Sequence, residues 1–389
     1  MNNILFDLSC LQAGPKAGGA AAYAKTILEF LICAKDSNTN IFGLYNSQQE
    51  FHPIYEIDVL VTKHNIKLLG GLQSTISQLI EKHCINTFYI PVGQYIMLYG
   101  LSNISCRTIV VIHDIFDIES SHMGLDAILY DPNIQSKKGL IKNIIYHNLG
   151  IKKRNIQKKY TNLMNFCSQE NVYLCTVSEY SKSALQYNFP LLKNKEIKVL
   201  YSPAKLVLQK KLIENKTLAS IIEKKQKFFL LISANRIYKN AHNVLKAFKC
   251  FSEKYPEYNI ITINYPKSLF SNHIALQTLS ESDLEFAYQH ADALIFASFF
   301  EGFGYPPIEA MKYSTPVIAS HTTSIPEITG IGGIYFSPLY CSDIYHALLK
   351  YVQTDSSILK QNSLKQYEII STKQSEDLKK LTQFILADI

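Results

Sequence analysis

The sequence predicts an α/β protein made of two doubly wound parallel-sheet domains in series, on three observations. The chain has 389 residues, too many for one ordinary core and enough for two domains of common size. Short, nearly all-apolar runs alternate with helical patterns through both halves, as parallel strands buried on both faces do. Between the halves, residues 201–226 ("YSPAKLVLQKKLIENKTLASIIEKKQ") carry no strand signal and begin at a proline-containing turn. That places the domain boundary.

In the first half "NILFDL", "TNIFGLY", "INTFYIP", "RTIVVIHD" and "VYLCTVS" read as strands. Between the first of these and an Ala-rich helix lie Gly18 and Gly19, within "LQAGPKAGGAAAYAKTILEFL". A glycine pair there lets the backbone approach a phosphate or a sugar, although the spacing is not G-x-G-x-x-G. His113 and Asp114 close the strand "RTIVVIHD". A lone strand-end His is more often structural than chemical. From Pro132 to Gln169 there is no acid, while Lys137, Lys138, Lys142, Lys152, Lys153, Arg154, Lys158 and Lys159 accumulate around Ile141, Ile144, Ile145 and Leu149. A basic amphipathic helix fits an anionic membrane surface, ahead of the alternative of a solvated face over the core.

In the second half "FFLLISA", "NIITINY", "DALIFAS" and "TPVIAS" read as strands. Two clusters follow such strands. "FFLLISANRIYKNAHNVLKAF" puts Arg236 and Lys239 in a polar loop before a helix. A guanidinium fork and an ammonium point charge beside a helix start form a receptor for a diphosphate. "FFEGFGYPPIEAMKY" places Glu301 at a strand end, then Gly302 and Gly304 for close backbone approach, then Pro307 at the expected first helical position. Glu309, expected in the first turn, has two readings: it complements the helix dipole, or it accepts from a vicinal diol such as ribose. The last helical stretch, "SEDLKKLTQFILADI", lies beyond the second sheet.

Composition removes several classes. The hydrophobic share of 47% belongs to a globular protein with a real core, and no apolar run approaches the roughly 18 residues of a membrane span. Asp7 interrupts the N-terminal apolar run, against a signal-peptide core. The 8 cysteines are scattered singly, without zinc spacing, as suits reduced thiols in the cytosol. The formal charge of +7 is modest, and no aromatic-interleaved basic motif points to nucleic acid.

Together the E-G-F-G…E spacing, the R-x-x-K loop, the early Gly-Gly and the strand-ending "HD" resemble the retaining GT-B glycosyltransferases of family 4, from Asn3 to about Pro338. The strongest segment is "DALIFASFFEGFGYPPIEAMKYSTPVIASHTTSIPEITG". The resemblance implies two Rossmann-like domains facing each other across a cleft. Residues 1–203 would be the acceptor-binding domain, 204–370 the nucleotide-sugar donor domain, and 371–389 a C-terminal helix. It implies that Glu309 binds the donor ribose, and that Glu301 with the backbone of Phe303, Gly304 and Tyr305 holds sugar hydroxyls. Arg236 and Lys239 would neutralise the departing diphosphate without a metal or other cofactor, Gly18 and Gly19 would admit the donor phosphates and the acceptor, and His113 would contact the donor sugar near the reacting carbon. The implied chemistry is front-face transfer of a hexose with retention. GDP-mannose is favoured as donor, and the acceptor is a polyprenyl-diphosphate-linked or growing glycan of a bacterial surface polysaccharide. The location would be cytoplasmic, at the inner face of the membrane through Lys137–Lys159.

Some positions depart from that pattern. Ser314 stands where the family has glycine, which suits a serine only at negative φ. The segment after "NIITINY" is short for a glycine-rich loop and helix, and base recognition falls near Gln277–Leu279. Two other classes compete: a nucleotide-sugar epimerase of the same architecture, which needs extra acids and a His around the sugar, and a non-enzymatic binder of an anionic polymer through the basic stretch.

Overall fold

The computed structural model describes residues 1–12, 18–70, 76–96, 104–120, 151–205 and 213–387. The chain divides into two units, one of Met1–Ile115, Asn155–Leu206 and Thr372–Ile389, the other of Phe116–Arg154 and Val207–Ser371.

The first unit is built on strands β1 (Asn2–Asp7), β2 (Thr39–Tyr45), β3 (Lys67–Gly70), β4 (Thr87–Ile90), β5 (Arg107–Ile112), β6 (Val172–Thr176) and β7 (Ile197–Val199). They form one parallel sheet in the order β3-β2-β1-β4-β5-β6-β7. The central strands are buried along nearly their whole length, as β-rich apolar runs covered on both faces must be. The helix Gly19–Ala34 follows β1 and buries Tyr23, Ile27, Leu28 and Leu31.

The helix Ser356–Leu386 begins in the second unit and ends in the first. In the first unit Asn2 Nδ2 donates to Leu386 O at 2.9 Å and Arg107 Nη2 to Phe384 O at 2.6 Å. A cation at the last carbonyls complements the helix dipole. Asp377, from the same helix, accepts the Tyr201 backbone N–H at 3.0 Å and pairs with Lys373 at 2.9 Å.

The second unit holds β8 (Lys227–Leu231), β9 (Tyr258–Ile263), β10 (His273–Leu276), β11 (Ala293–Phe296), β12 (Val317–Ser320) and β13 (Gly333–Phe336). These are again all parallel, in the order β10-β9-β8-β11-β12-β13. The core under this sheet includes Phe229, Phe248, Phe251 and Tyr258, with Phe229 stacked on Tyr258 at 5.2 Å. Residues 264–272 carry β9 to β10 without a helix, in keeping with the shortness of that segment.

Four strands go beyond the sequence expectations: β3, β7, β10 and β13. All four are the outermost strands of their sheets. Each mixes buried with half-buried or exposed positions, unlike the fully buried β4, β11 and β12. An edge strand has only one paired side and lacks the continuous apolar run that marks a central one.

Candidate functional site

In doubly wound sheets ligands bind at the carboxyl ends of the strands, where the order reverses. In the second sheet that point lies between β8 and β11. The loop after β8 leads through a short 3-10 turn, Ile237–Lys239, into the helix Ala241–Lys254. The loop after β11 leads into the helix Tyr305–Met311. A backbone bond from Phe299 N to Tyr238 O, 2.8 Å, ties the two loops together.

Across this junction Lys239 Nζ stands 2.6 Å from Glu301 Oε1, with side-chain exposures of only 6% and 15%. The ammonium also lies over the Phe296 ring, 4.5 Å from its centroid. A buried ammonium is tolerable only with a close counter-charge, and Glu301 supplies it. The half-buried Arg236 sits at the start of the 3-10 turn and donates from Nη1 to the Tyr238 hydroxyl at 2.9 Å. Asn240 then takes a left-handed conformation, φ 58°, and its side chain donates to Pro338 O at 2.8 Å, anchoring the turn to the loop after β13.

The E-G-F-G loop is braced by the loop that follows β12. Glu301 N donates to Thr323 Oγ1 at 3.2 Å, and the buried Ser324 hydroxyl faces the carbonyls of Glu301 and Phe303 at 3.0 and 3.1 Å. Phe303 itself is buried, its ring edge-on to Tyr305 at 5.6 Å. Gly304 is the N-cap of the helix Tyr305–Met311 at φ 103°, a conformation that favours glycine. Here the structure corrects the sequence reading. The helix begins at Tyr305, so Pro307 is its third residue and Glu309 lies beyond the first turn, which holds no acid. Glu309 accepts from the Tyr288 hydroxyl at 2.8 Å. Burial, and then Glu309, push the Tyr288 phenol well above its usual range, so it stays a donor. Ser314 is a second correction: it sits at φ 61°, just past the same helix, where its N–H bonds Met311 O at 2.9 Å. The family's glycine at that position answers to the same backbone geometry.

The first unit holds the other expected residues. Gly18 caps the helix Gly19–Ala34 in extended backbone, φ −160°, and its carbonyl accepts from Ala21 and Ala22. From that helix Tyr23 meets His113 edge-on at 4.6 Å and shares a 3.1 Å hydrogen bond with Tyr89. His113 Nε2 lies 2.9 Å from Pro91 O. A carbonyl only accepts, so Nε2 carries the proton and Nδ1 is left as an acceptor. Burial lowers the His113 pKa to about 4, which makes the ring neutral at ordinary pH. The His113 and Asp114 carbonyls are held by Ser181 Oγ at 3.0 Å and Gln94 Nε2 at 2.8 Å.

The structure thus brings Arg236, Lys239, Glu301, Phe303, Gly304, Tyr305 and Glu309 into one unit, and Gly18, Gly19 and His113 into the other. Sequence reasoning missed Thr323, Ser324, Tyr288 and Tyr23. The only signal for the first two was the hydroxyl-rich "HTTS" after β12. Of the basic stretch, Lys137, Lys138 and Lys142 lie outside the described residues, as do the side chains of Lys152, Lys153, Arg154 and Lys159, while Lys158 is exposed. Among the described residues no helix is long and apolar enough to cross a membrane.

Residues 213–336 match the family described as Glycosyl transferases group 1. The O-antigen chain mannosyltransferase RfbU of Salmonella typhimurium is 30% identical over 199 residues, which is 47% of this chain and 52% of RfbU. The O-antigen chain mannosyltransferase B of Escherichia coli is 38% identical over 76 residues, 20% of each chain. The chain therefore spans about half, or less, of the length of these relatives. Among solved structures, HepE of Anabaena in complex with UDP and glucose superposes with TM-score 0.63 at 14% identity, over 99% of both chains. Sucrose-phosphate synthase from Thermosynechococcus elongatus gives 0.62 at 13%, over 98% of this chain and 99% of that one. At such identities the likeness is one of fold, and the fold is GT-B.

Proposed function

We propose that this protein is a glycosyltransferase that moves a hexose from a nucleotide-sugar donor to a lipid-linked or growing glycan in surface-polysaccharide synthesis. The observation that carries the reading is the Lys239–Glu301 pair, with Arg236 in the same turn as Lys239 and Glu309 on the helix that follows the Glu301 loop, inside the segment that matches glycosyl transferases group 1. A guanidinium and an ammonium at one strand end suit a leaving diphosphate, and stabilising the charge that develops there is the greatest contribution such a site can make to the rate. Glu301 and Glu309 offer acceptors to sugar and ribose hydroxyls, and Gly304 lets the backbone come close. RfbU and the E. coli relative are mannosyltransferases by name, so GDP-mannose ranks ahead of UDP-hexoses as donor.

We assign transfer with retention at the anomeric carbon. His113 would contact the donor sugar, but a ring with pKa about 4 is a poor base at neutral pH. This weakens His113 as a base for inversion, and leaves the departing phosphate to take the acceptor's proton. Arg236 and Lys239 would serve in place of a metal. The protein would work in the cytoplasm, drawn to the anionic inner face of the membrane by Lys137–Lys159.

The test is an assay of the purified chain with GDP-mannose and with UDP-hexoses, each with and without a polyprenyl-diphosphate-linked acceptor, in excess EDTA. Lipid-dependent product containing an α-linked sugar from an α-linked donor supports the proposal. No product with any donor, a strict need for Mg²⁺, or a β-linkage in the NMR coupling constant would each remove the corresponding part.

A further inference from the structure

We propose that Glu301 couples recognition of the sugar to recognition of the diphosphate. Its carboxylate holds Lys239 until a sugar hydroxyl takes the ammonium's place, and only then is Lys239 released to the phosphates. The proposal rests on reading this loop pair as a nucleotide-sugar site.

Four features of the second unit carry it. The two charged groups are in contact at 2.6 Å and both are nearly buried, so neither has bulk water as a ready substitute partner. The backbone of Glu301 is held at its N–H by Thr323 and at its carbonyl by Ser324. The carboxylate can therefore change partner by rotating its own side chain, without moving the loop. Lys239 rests against the Phe296 ring, which keeps part of the cation's environment while the carboxylate is exchanged. Finally, the neighbouring Arg236 is directed at the Tyr238 hydroxyl rather than at Glu301. It offers a charge to an incoming phosphate without disturbing the pair.

The consequence is discrimination. A free nucleoside diphosphate that draws Lys239 toward its phosphates leaves a buried carboxylate without its donor, and an unsatisfied buried charge is strongly disfavoured. It also brings its own negative charge toward Glu301. A nucleotide sugar removes both difficulties, because a hydroxyl donates to the carboxylate as the ammonium leaves. The site therefore prefers the intact donor over the spent nucleotide, which favours release of the product.

The experiment is calorimetric titration of the full chain with GDP and GDP-mannose, with UDP and UDP-glucose in parallel, on wild type and Glu301→Gln. The wild type should bind the nucleotide sugar more tightly than the nucleotide. Glu301→Gln should cut that preference about tenfold, within the usual range for coupled sites, and mainly by tightening the nucleotide. A second test needs no variant: among deoxyhexose nucleotides, removing the hydroxyl that Glu301 accepts should lower wild-type affinity to that of the free nucleotide. An unchanged preference in Glu301→Gln, or equal binding of every deoxy analogue, overturns the coupling and leaves the site reading intact. Failure of all nucleotides and nucleotide sugars to bind overturns both.

Discussion

The two sheets share one strand order up to their last strand and put opposite electrostatics at their carboxyl ends. In the second, the loops after β8 and β11 bring the side chains of Lys239 and Glu301 together at 2.6 Å, a charge pair nearly buried between them. In the first, burial moves the titratable groups toward their neutral forms: His113 falls to about 4 and Asp7, at the end of β1, rises to about 6. Strand order decides where loops converge, but not whether the converging groups are charged. A paired site suits an anion that can exchange partners with it. A neutral ring and hydroxyls suit uncharged polyols.

The strongest way to break this contrast is to remove the charge from the second unit. Arg236→Ala and Lys239→Ala should each lower the transfer rate by about 10²–10³, the usual loss of one preorganised stabiliser. They should differ in stability. Arg236 contacts a neutral phenol, so its loss should cost little in denaturant unfolding. Lys239→Ala strands Glu301 and should cost about 3 kcal/mol, as broken buried pairs do. Normal turnover in either variant would remove the charged site from the mechanism, and equal stabilities would mean that the pair is not structurally coupled.

The counterpart in the first unit is Asp7→Asn. The Asp7 carboxyl is fully buried, accepts from Ser9 N at 3.0 Å, and has no partner for Oδ2 among the described residues. Its pKa rises from 3.8 to about 6, chiefly by burial. The favourable contribution is complete below 3.8 and is lost as pH rises through 6, so above 6 the ionised group weakens the fold by on the order of 3 kcal/mol. His113 acts in the other direction. Its folded pKa is depressed, so its contribution is present above 6.5 and lost as pH falls toward 4. Asp7→Asn should therefore raise the melting temperature at pH 8 while leaving it nearly unchanged at pH 4. A lower melting temperature at pH 8 would mean that the ionised carboxylate stabilises the fold in spite of its burial.

Much of this comparison was legible in the sequence because its parts are local. Arg236 and Lys239 share one loop, Glu301 and Gly304 another, and each loop follows a strand with a continuous apolar run. What was illegible is what joins them. Lys239 and Glu301 are 62 positions apart, and nothing in either segment states that their side chains meet. Glu309 was misplaced because Pro307 is a good first helical residue, whereas the turn through Gly304 at φ 103° starts the helix earlier. The four edge strands escaped because half or more of the residues in each are not fully buried. Thr323 and Ser324 looked like loop filler, since a hydroxyl's role depends entirely on which carbonyl comes within hydrogen-bond reach of it.

Ser324→Ala tests that bracing with a smaller effect. It leaves the Glu301 and Phe303 carbonyls without their buried donor, at about 1–3 kcal/mol. If the serine only stabilises the domain, kcat and KM should stay as in the wild type once the variant is folded. If it positions Glu301, kcat/KM should fall about tenfold at a temperature where both proteins are fully folded.

The smallest expected effects belong to two glycines, and they separate backbone demand from ligand approach. Gly304 has φ 103°, and a Cβ there would meet the Phe296 ring at an ordinary 3.6 Å. Gly304→Ala should thus cost only the strain of a left-handed residue, about 1–2 kcal/mol. Gly18 has φ −160°, extended backbone that any residue adopts. Gly18→Ala should cost about 0.5–1 kcal/mol, since alanine is a poorer N-cap than glycine. Its value lies in reading activity apart from that small loss. If the backbone at Gly18 admits a phosphate or acceptor, a methyl there must slow transfer at a temperature where the variant is fully folded. Full activity in Gly18→Ala would show that the first unit's glycine pair serves only the start of its helix.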